Sequence, residues 1–302
     1  MTVIAITGAT GFVGGHVLDQ AHNLGLEIRA LTRRMQPPRD GVTWVGGSLD
    51  DADGLDQLMA GADAVLHIAG IINAPDEAGF IAGNVTGTAN VLAAAARAGI
   101  GRFVHVSSLA AREPSLSAYG RSKAQSEALV QQSGMAWTIV RPPAVYGAGD
   151  RETLELFRMA KHRVVMLPPG GAMSIIEAGD LARLLLQLTD TADSIGQMYE
   201  PDDGKLEGWT HREFALCLGR AMDRSVLPLP MPRKIMEWAS WLDVRLRGPK
   251  AKLTADRVAY FCHPDWVCSA HRQPPAHIWE PRMPTERGAR LAARWYRAEG
   301  WL

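Results

Sequence analysis

Thr7-Gly8-Ala9-Thr10-Gly11-Phe12-Val13-Gly14-Gly15 decides how this chain is read. An apolar run, Val3-Ile4-Ala5-Ile6, precedes it, and a helical pattern follows from Gly14 through His16-Val17-Leu18 to Leu24. Strand, glycine-rich turn and helix, in that order, form the context in which glycine spacing carries meaning. Gly8 permits a tight turn out of the strand, and Gly11 lets the main chain approach a pyrophosphate with no Cβ in the way. Gly14 lets the helix pack closely on the sheet. Phosphates held by this turn, with Thr10, Phe12 and Val13 beside them, sit over the helix N-terminus, where unpaired N–H groups and the helix dipole favour negative charge. The glycines are spaced three and three, not two and three as in the usual dinucleotide fingerprint. An ordinary strand–helix turn is the plain alternative, and the flanking pattern favours dinucleotide binding over it.

The 302 residues suffice for one large α/β domain with a smaller appendage, or for two domains. Acidic and basic residues balance at 32 each, which gives no reason to expect nucleic acid or an anionic membrane as partner. The longest uncharged apolar-rich stretch, around Ala64 to Ala74, is too short to span a bilayer. The first strand begins two residues after Met1, which leaves no room for a signal peptide. Three cysteines do not make a disulfide framework, so a cytoplasmic location is expected.

Short β-branched runs alternate with helical segments through the first half, the pattern of a parallel sheet covered on both faces. Strands are expected at Glu27–Thr32, Val42–Val45, Ala64–Gly70, Arg102–Ser108 and Trp137–Arg141, with a further one at Gln197–Glu200 in the same sheet. Helices are expected at Asn84–Ala98, Ser122–Gln132 and Asp180–Leu188. After about Pro201 the composition shifts, and seven of the nine tryptophans lie beyond it. The reading is therefore an α/β, doubly wound parallel sheet of the Rossmann kind over residues 1–200, followed by a smaller, mostly helical substrate cap over 201–302. Residues 163–177 are candidates to contribute to the cap. Open α/β sheets bind ligands at the carboxyl ends of their strands.

The residue that ends the second strand meets the adenosine ribose in such folds: a carboxylate binds both ribose hydroxyls, an arginine neutralises a 2′-phosphate. Here Thr32-Arg33-Arg34 contains no acid, so NADP(H) is favoured, with NAD(H) left open and solvated loop charges as the plain reading of both arginines. Ser48-Leu49, after the third strand, would lie beside the adenine. Tyr119-Gly120-Arg121-Ser122-Lys123 carries the chemistry: Tyr119 and Lys123, four apart, share one helix face. An ammonium near a phenol is expected to lower the tyrosine pKa, so that it can exchange a proton with a substrate oxygen. Ser108, at the end of the fifth strand, is placed to hydrogen-bond that oxygen, with Ser107 as its competitor.

At these residues the chain resembles the short-chain dehydrogenase/reductase superfamily in its extended and atypical branches, over nearly its whole length. The glycine motif, Asn84-Val85-Thr86-Gly87-Thr88-Ala89-Asn90-Val91-Leu92, Arg141-Pro142-Pro143-Ala144-Val145-Tyr146-Gly147 and the ending Trp295 to Leu302 carry the likeness. It implies that Tyr119 is the general acid/base, that Lys123 binds the nicotinamide ribose and tunes Tyr119, and that Ser108 orients the substrate oxygen. It also implies cofactor contacts from Ala69, Gly70, Ser107, Pro142, Ala144 and Val145, and homodimers through the helices after the fourth and fifth strands are common among such proteins. Three features depart from the pattern. Only Leu109 to Ala118 separate the serine from the tyrosine, as in atypical members that bind cofactor without evident turnover. Ser48 stands where an Asp is usual, and Ser174-Ile175-Ile176-Glu177-Ala178-Gly179-Asp180 lacks the basic residue common in sugar-nucleotide epimerases. Leu227-Pro228-Leu229-Pro230 through Leu253-Thr254 resembles hydroxysteroid and flavanone-alcohol reductases instead. The implied function is NADP(H)-dependent hydride transfer to or from a carbonyl or secondary alcohol of a fairly apolar small molecule. The alternatives are an NAD-dependent sugar-nucleotide epimerase or dehydratase, and a cofactor-binding structural or sensing protein.

The remaining signals have plainer readings. Ile235, Trp238 and Leu242 recur at about one helical turn, which a stripe buried in the cap's own core explains. A helix lying on a membrane surface is the other reading, for which the basic residues look sparse. Cys262, His263, Cys268, His271 and His277 are zinc-ligand types at a spacing that matches no zinc pattern, so no metal is expected. His67 and His105 read as hydrogen-bonded core residues. Asp50-Asp51-Ala52-Asp53 reads as a helix N-terminal cap.

Overall fold

The structure is a computed structural model that describes residues 2–248, 251 and 253–302. Its contacts divide the chain into two units: Met1–Pro142, Gly179–Glu200 and Pro274–Trp279 form one, and Pro143–Ala178, Pro201–Gln273 and Glu280–Leu302 the other. The sequence reading placed the boundary after residue 200 and let residues 163–177 contribute to the cap. In the structure residues 143–178 belong with the later chain, because strand pairing ties them there: Val164–Leu167 runs parallel to Leu227–Pro230, and Ala172–Met173 pairs with both Trp209–Thr210 and Asp265–Trp266.

The first unit runs β1 (Val3–Thr7), α1 (Phe12–Asn23), β2 (Glu27–Thr32), β3 (Val42–Gly46), α2 (Ala52–Met59), β4 (Ala64–His67), α3 (Glu77–Phe80), α4 (Gly87–Arg97), β5 (Arg102–Val106), α5 (Ala118–Gln132) and β6 (Ala136–Val140). A seventh strand, Gln197–Tyr199, pairs with β6. All seven are parallel, in the order β3-β2-β1-β4-β5-β6 and then the seventh. This is the doubly wound order, whose direction of winding reverses between β1 and β4 and so opens a crevice at their carboxyl ends.

The central strands are apolar runs because both faces are covered, and all four residues of β4 are buried. Ala5, Val65, Phe103 and Ile139 of the sheet join one core with Leu55 and Met59 of α2, Val91 and Ala95 of α4, and Val130 of α5. Each large apolar side chain so buried contributes roughly 1.5–3 kcal/mol. Alanines on α4 present little bulk, and Ala94 and Ala95 are fully buried. Asp51 caps α2 by accepting from Gly54 N at 3.1 Å, as its sequence position suggests.

The second unit has its own core, in which Tyr146, Phe157, Phe214, Leu218 and Tyr296 are buried together. Tyr296 Oη donates to Asp150 O at 2.7 Å, which satisfies the one polar atom of a buried ring. The helix Arg233–Arg247 departs from its sequence reading. Ser240 is its buried residue; of the expected stripe Ile235 and Trp238 are exposed and Leu242 is half-buried, and Trp241 is exposed as well, so the buried stripe does not form. At about 100° per residue Ile235, Trp238 and Trp241 span about 120°, so they make one face of the helix, and it is the exposed one. Cys262 Sγ donates to Met236 Sδ at 3.8 Å, and Cys268 Sγ to Pro201 O at 3.9 Å.

Candidate active site

The glycine-rich turn leaves β1 at Gly8, whose φ of +80° is a left-handed conformation that glycine adopts without strain. A Cβ there would lie 2.6 Å from Ala69 N, so the turn after β1 and the loop after β4 are in close contact. At Gly14 a Cβ would come within 2.1 Å of Gly8 O, which fixes how near α1 lies to the turn. Gly11 is the N-cap of α1 in an extended conformation and supplies no side chain to the first turn, while Thr10 and Gly11 face solvent and Phe12 and Val13 are half-buried. The N-terminal amides of α1 are therefore left for water or an anionic ligand. These residues fit the pyrophosphate of a dinucleotide.

At the end of β2, Thr32 Oγ1 donates to Arg34 O at 2.7 Å and turns the chain. Arg33 and Arg34 are exposed, and neither guanidinium is in an ion pair or hydrogen bond among the described residues. A cavity of about 470 Å³ is lined by Ala9, Thr10, Gly15, Gln36, Arg39 and Trp44. Arg39, which the sequence reading passed over, is held there by Asp19 at 2.7 Å; nothing in its spacing marked it. Ser48 Oγ accepts from Asp50 N at 3.3 Å, and Leu49 O accepts from Asn90 Nδ2 at 2.8 Å, which ties the turn after β3 to α4.

The two serines after β5 part company. Ser107 is buried and its Oγ donates to Glu127 Oε1; Glu127 in turn holds Arg141 with both carboxylate oxygens, at 2.8 and 2.6 Å. Arg141 also reaches Glu200 at 3.4 Å, and its guanidinium stands above its ordinary pKa because those carboxylates outweigh its burial. Ser108 is half-buried; its Oγ accepts from Ala110 N at 3.2 Å, and its side chain lies by that of Tyr119, whose pKa it draws down against burial. Ser117 caps α5 by accepting from Gly120 N at 3.0 Å, which starts the helix just before Tyr119. Lys123 follows one turn later, buried, with Nζ donating to Val106 O at 2.8 Å.

Burial pushes the Lys123 ammonium down to about 8, against the pull of Glu127. Tyr119 was expected to fall under the influence of Lys123. Its pKa instead stands above the ordinary value, because burial disfavours the phenolate; the group that opposes this is Ser108. Tyr119 is therefore a protonated phenol at neutral pH.

Asn84 is the residue that sequence reasoning missed. The helix expected over Asn84–Ala98 forms as α4, but the turn that leads into it, Ile81–Thr86, is π-helical. Such turns insert one extra residue and are frequent at functional sites. Asn84 is buried: its Oδ1 accepts from Ile71 N at 2.7 Å, and its Nδ2 donates to Ile71 O at 3.0 Å and to Ser122 Oγ at 2.9 Å. A Cβ at Gly70 would fall 3.0 Å from Asn84 Oδ1 and 3.6 Å from Lys123 Nζ, so Gly70, Asn84 and Lys123 converge. Beneath them His67 bonds Thr7 Oγ1 at 2.6 Å and Thr88 Oγ1 at 3.0 Å and stacks on His105. Burial and the Lys123 charge keep both rings neutral, His67 down at about 3. Pro142 ends the first stretch of this unit, where its carbonyl accepts from Leu109 N at 2.9 Å; Ala144 and Val145 lie in the second unit, in the strand Ala144–Tyr146.

The sequence profile of the NAD(P)H-binding family matches residues 8–191. The chain belongs to that family. It is an NAD(P)-dependent oxidoreductase of the short-chain dehydrogenase/reductase type, with the parallel sheet expected of one. It is similar to a ceramide reductase of Caulobacter vibrioides, 36% identical over 99% of this chain and 96% of the relative. It is also similar to a 4-hydroxy-2-methyl-3-oxo-4-farnesyl-3,4-dihydroquinoline-1-oxide ketoreductase of Stigmatella aurantiaca, 34% identical over 48% of this chain and 51% of that one. Among solved structures its fold matches MoeE5 in complex with UDP-glucose and NAD, with a TM-score of 0.76 at 18% identity over 99% of both chains. No described helix is long and apolar enough to cross a membrane.

Proposed function

We propose that this oxidoreductase uses NADPH to reduce a ketone on an apolar, lipid-like molecule of the ceramide class, with Tyr119 as the proton donor. The observation that carries the reading is the approach of the Ser108 side chain to Tyr119, with Lys123 buried one turn further along the same helix. When bound, the reduced nicotinamide supplies hydride. The residues of the chain do the rest. Ser108 and Tyr119 present two hydroxyls to a carbonyl oxygen and hold it as negative charge develops. Tyr119 passes its proton to that oxygen. Its raised pKa keeps the proton in place at neutral pH, which suits reduction better than oxidation. Lys123, fixed by Val106 O, has N–H donors left for a ribose, while Asn84 braces the tyrosine helix through Ser122 Oγ.

Two exposed and unpartnered guanidinium groups after β2, with no carboxylate between Thr32 and Gln36, support NADPH over NADH. The names of the two reductase relatives support a ketone on an apolar framework. The test is to supply a ceramide bearing a ketone in place of its secondary hydroxyl, with NADPH or NADH, and follow loss of reduced cofactor and formation of the alcohol. Stoichiometric alcohol with NADPH preferred supports the reading. Cofactor that binds but is never consumed, or a product isomerised with no net oxidation of cofactor, would replace it by the binding-protein or epimerase alternative.

A further inference from the structure

The helix Arg233–Arg247 carries its largest apolar side chains on the outside. Trp238 is 62% exposed, Trp241 57% and Leu246 75%, while Ser240 is buried and Met236, Ala239, Leu242 and Asp243 are half-buried. That inner side faces the helix Ala255–Phe261 and the residue after it, where Cys262 Sγ meets Met236 Sδ at 3.8 Å. At about 100° per residue, Trp241, Lys234, Arg245 and Trp238 fall in that order within an arc of about 60° on the outer side. Arg245 lies over the Trp241 ring at 5.5 Å.

The acids of this helix are elsewhere. Glu237 accepts from Arg233 at 2.8 Å, and Asp243, whose side chain is 16% exposed, takes Leu253 N at 2.9 Å and Arg247 at 3.2 Å. The arc therefore joins two indole rings to two cations with no carboxylate among them. Indole is at home where an apolar and a wet phase meet, and Lys and Arg lay apolar stems along the same boundary while their charges reach phosphate. A second copy of this chain set against the same arc about a two-fold axis would bring like charges together, which disfavours a dimer through it.

We infer that the outer face of Arg233–Arg247 docks on an anionic phospholipid surface, with the helix lying in the interface plane, Trp238 and Trp241 entering the headgroup layer and Lys234 and Arg245 meeting lipid phosphates. The inference stands on this face alone and is independent of the reductase reading. A low count of basic residues argues against such a role only if they are scattered, and here two of them sit on the aromatic arc.

The test is co-sedimentation of the full chain with vesicles of phosphatidylcholine alone and of phosphatidylcholine with phosphatidylglycerol in equal parts. Binding to the anionic vesicles that weakens as salt rises is the expected result. Trp238→Ala/Trp241→Ala and Lys234→Glu/Arg245→Glu should each lower it at least 10-fold, with circular dichroism, melting temperature and NADPH affinity unchanged. Failure to bind anionic vesicles, equal binding to both vesicle types, or variants that bind like the parent would overturn the inference. So would a concentration-dependent dimer lost in the tryptophan pair without vesicle binding, which would give the face to a second copy.

Discussion

Ser108 lies by Tyr119 and draws its pKa down against burial, while Ser107, one residue earlier, gives its proton to Glu127. Alternation along an extended strand end sends the two hydroxyls opposite ways. One joins the tyrosine and the other a buried ion pair. Ser108→Ala should therefore lower turnover by about 10²–10³-fold with cofactor affinity intact, as loss of a single donor to a developing oxyanion does. Ser107→Ala should leave turnover nearly unchanged and lower stability by about 1.5–3 kcal/mol, the range for a hydrogen bond to a charged group. Steady-state kinetics and denaturant melts on both variants separate the two roles; the reverse pattern would show that the serines had been assigned the wrong way round.

Arg33 and Arg34 are free to meet a phosphate on the adenosine ribose. Replacing both by alanine should weaken NADPH at least 10-fold while NADH affinity changes less than 2-fold, an order of magnitude expected for loss of a charge-assisted contact. The NADPH affinity of the parent should also fall as salt rises. Fluorescence titration of both cofactors measures this, and equal weakening of the two would remove the arginines from cofactor choice.

Lys123 ties stability to alkaline pH. Its folded pKa, about 8, lies below the ordinary lysine value because the charged form is buried. The unfolded chain thus binds the extra proton between those two values, and this group makes stability rise with pH across that window and level off on either side. The slope it contributes is at most about 1.4 kcal/mol per pH unit. Denaturant melts of the parent and of Lys123→Met from pH 7 to pH 11 should show the difference shifting toward the parent as pH rises. A difference that does not move with pH would mean that the ammonium is not buried as described.

Gly14 has no room for a side chain, because its Cβ would meet Gly8 O at 2.1 Å. Gly14→Ala should cost at least about 2 kcal/mol through backbone displacement and loosen cofactor binding along with it. Gly15 offers a control, since nothing lies within 4 Å of a Cβ built there. Gly15→Ala should melt at or above the parent temperature. Similar melting of the two variants would contradict the packing of α1 on the turn.

Much of the first unit was legible because its signals are local. The bounds of β2 follow from Glu27-Ile28-Arg29-Ala30-Leu31-Thr32 itself, and β4 is a continuous apolar run because both its faces are covered. What escaped depends on contacts distant in sequence. The π-helical turn at Ile81–Thr86 places Asn84 against Ile71 and Ser122, and no periodicity within the segment announces the extra residue. The direction of the Tyr119 shift was misread because four-residue spacing suggests a charge neighbour but gives no measure of burial, which dominates here. The sequence reading let 163–177 join the later unit but gave no sign that 143–162 go with them, and short strands such as Leu227-Pro228-Leu229-Pro230, rich in proline, do not read as strands. The aromatic recurrence at Ile235 and Trp238 was legible as a pattern, but sequence could not say which side of the helix had a neighbour.

The account rests on a proton leaving Tyr119 as hydride reaches the substrate carbon. A single-turnover reaction of the Tyr119→Phe variant, with bound NADPH and the ketone form of a ceramide, tests that directly. Oxidation of NADPH should slow by about 10²–10⁴-fold, the usual worth of a positioned acid, with NADPH affinity and melting temperature close to those of the parent. Turnover at the parental rate would contradict the account.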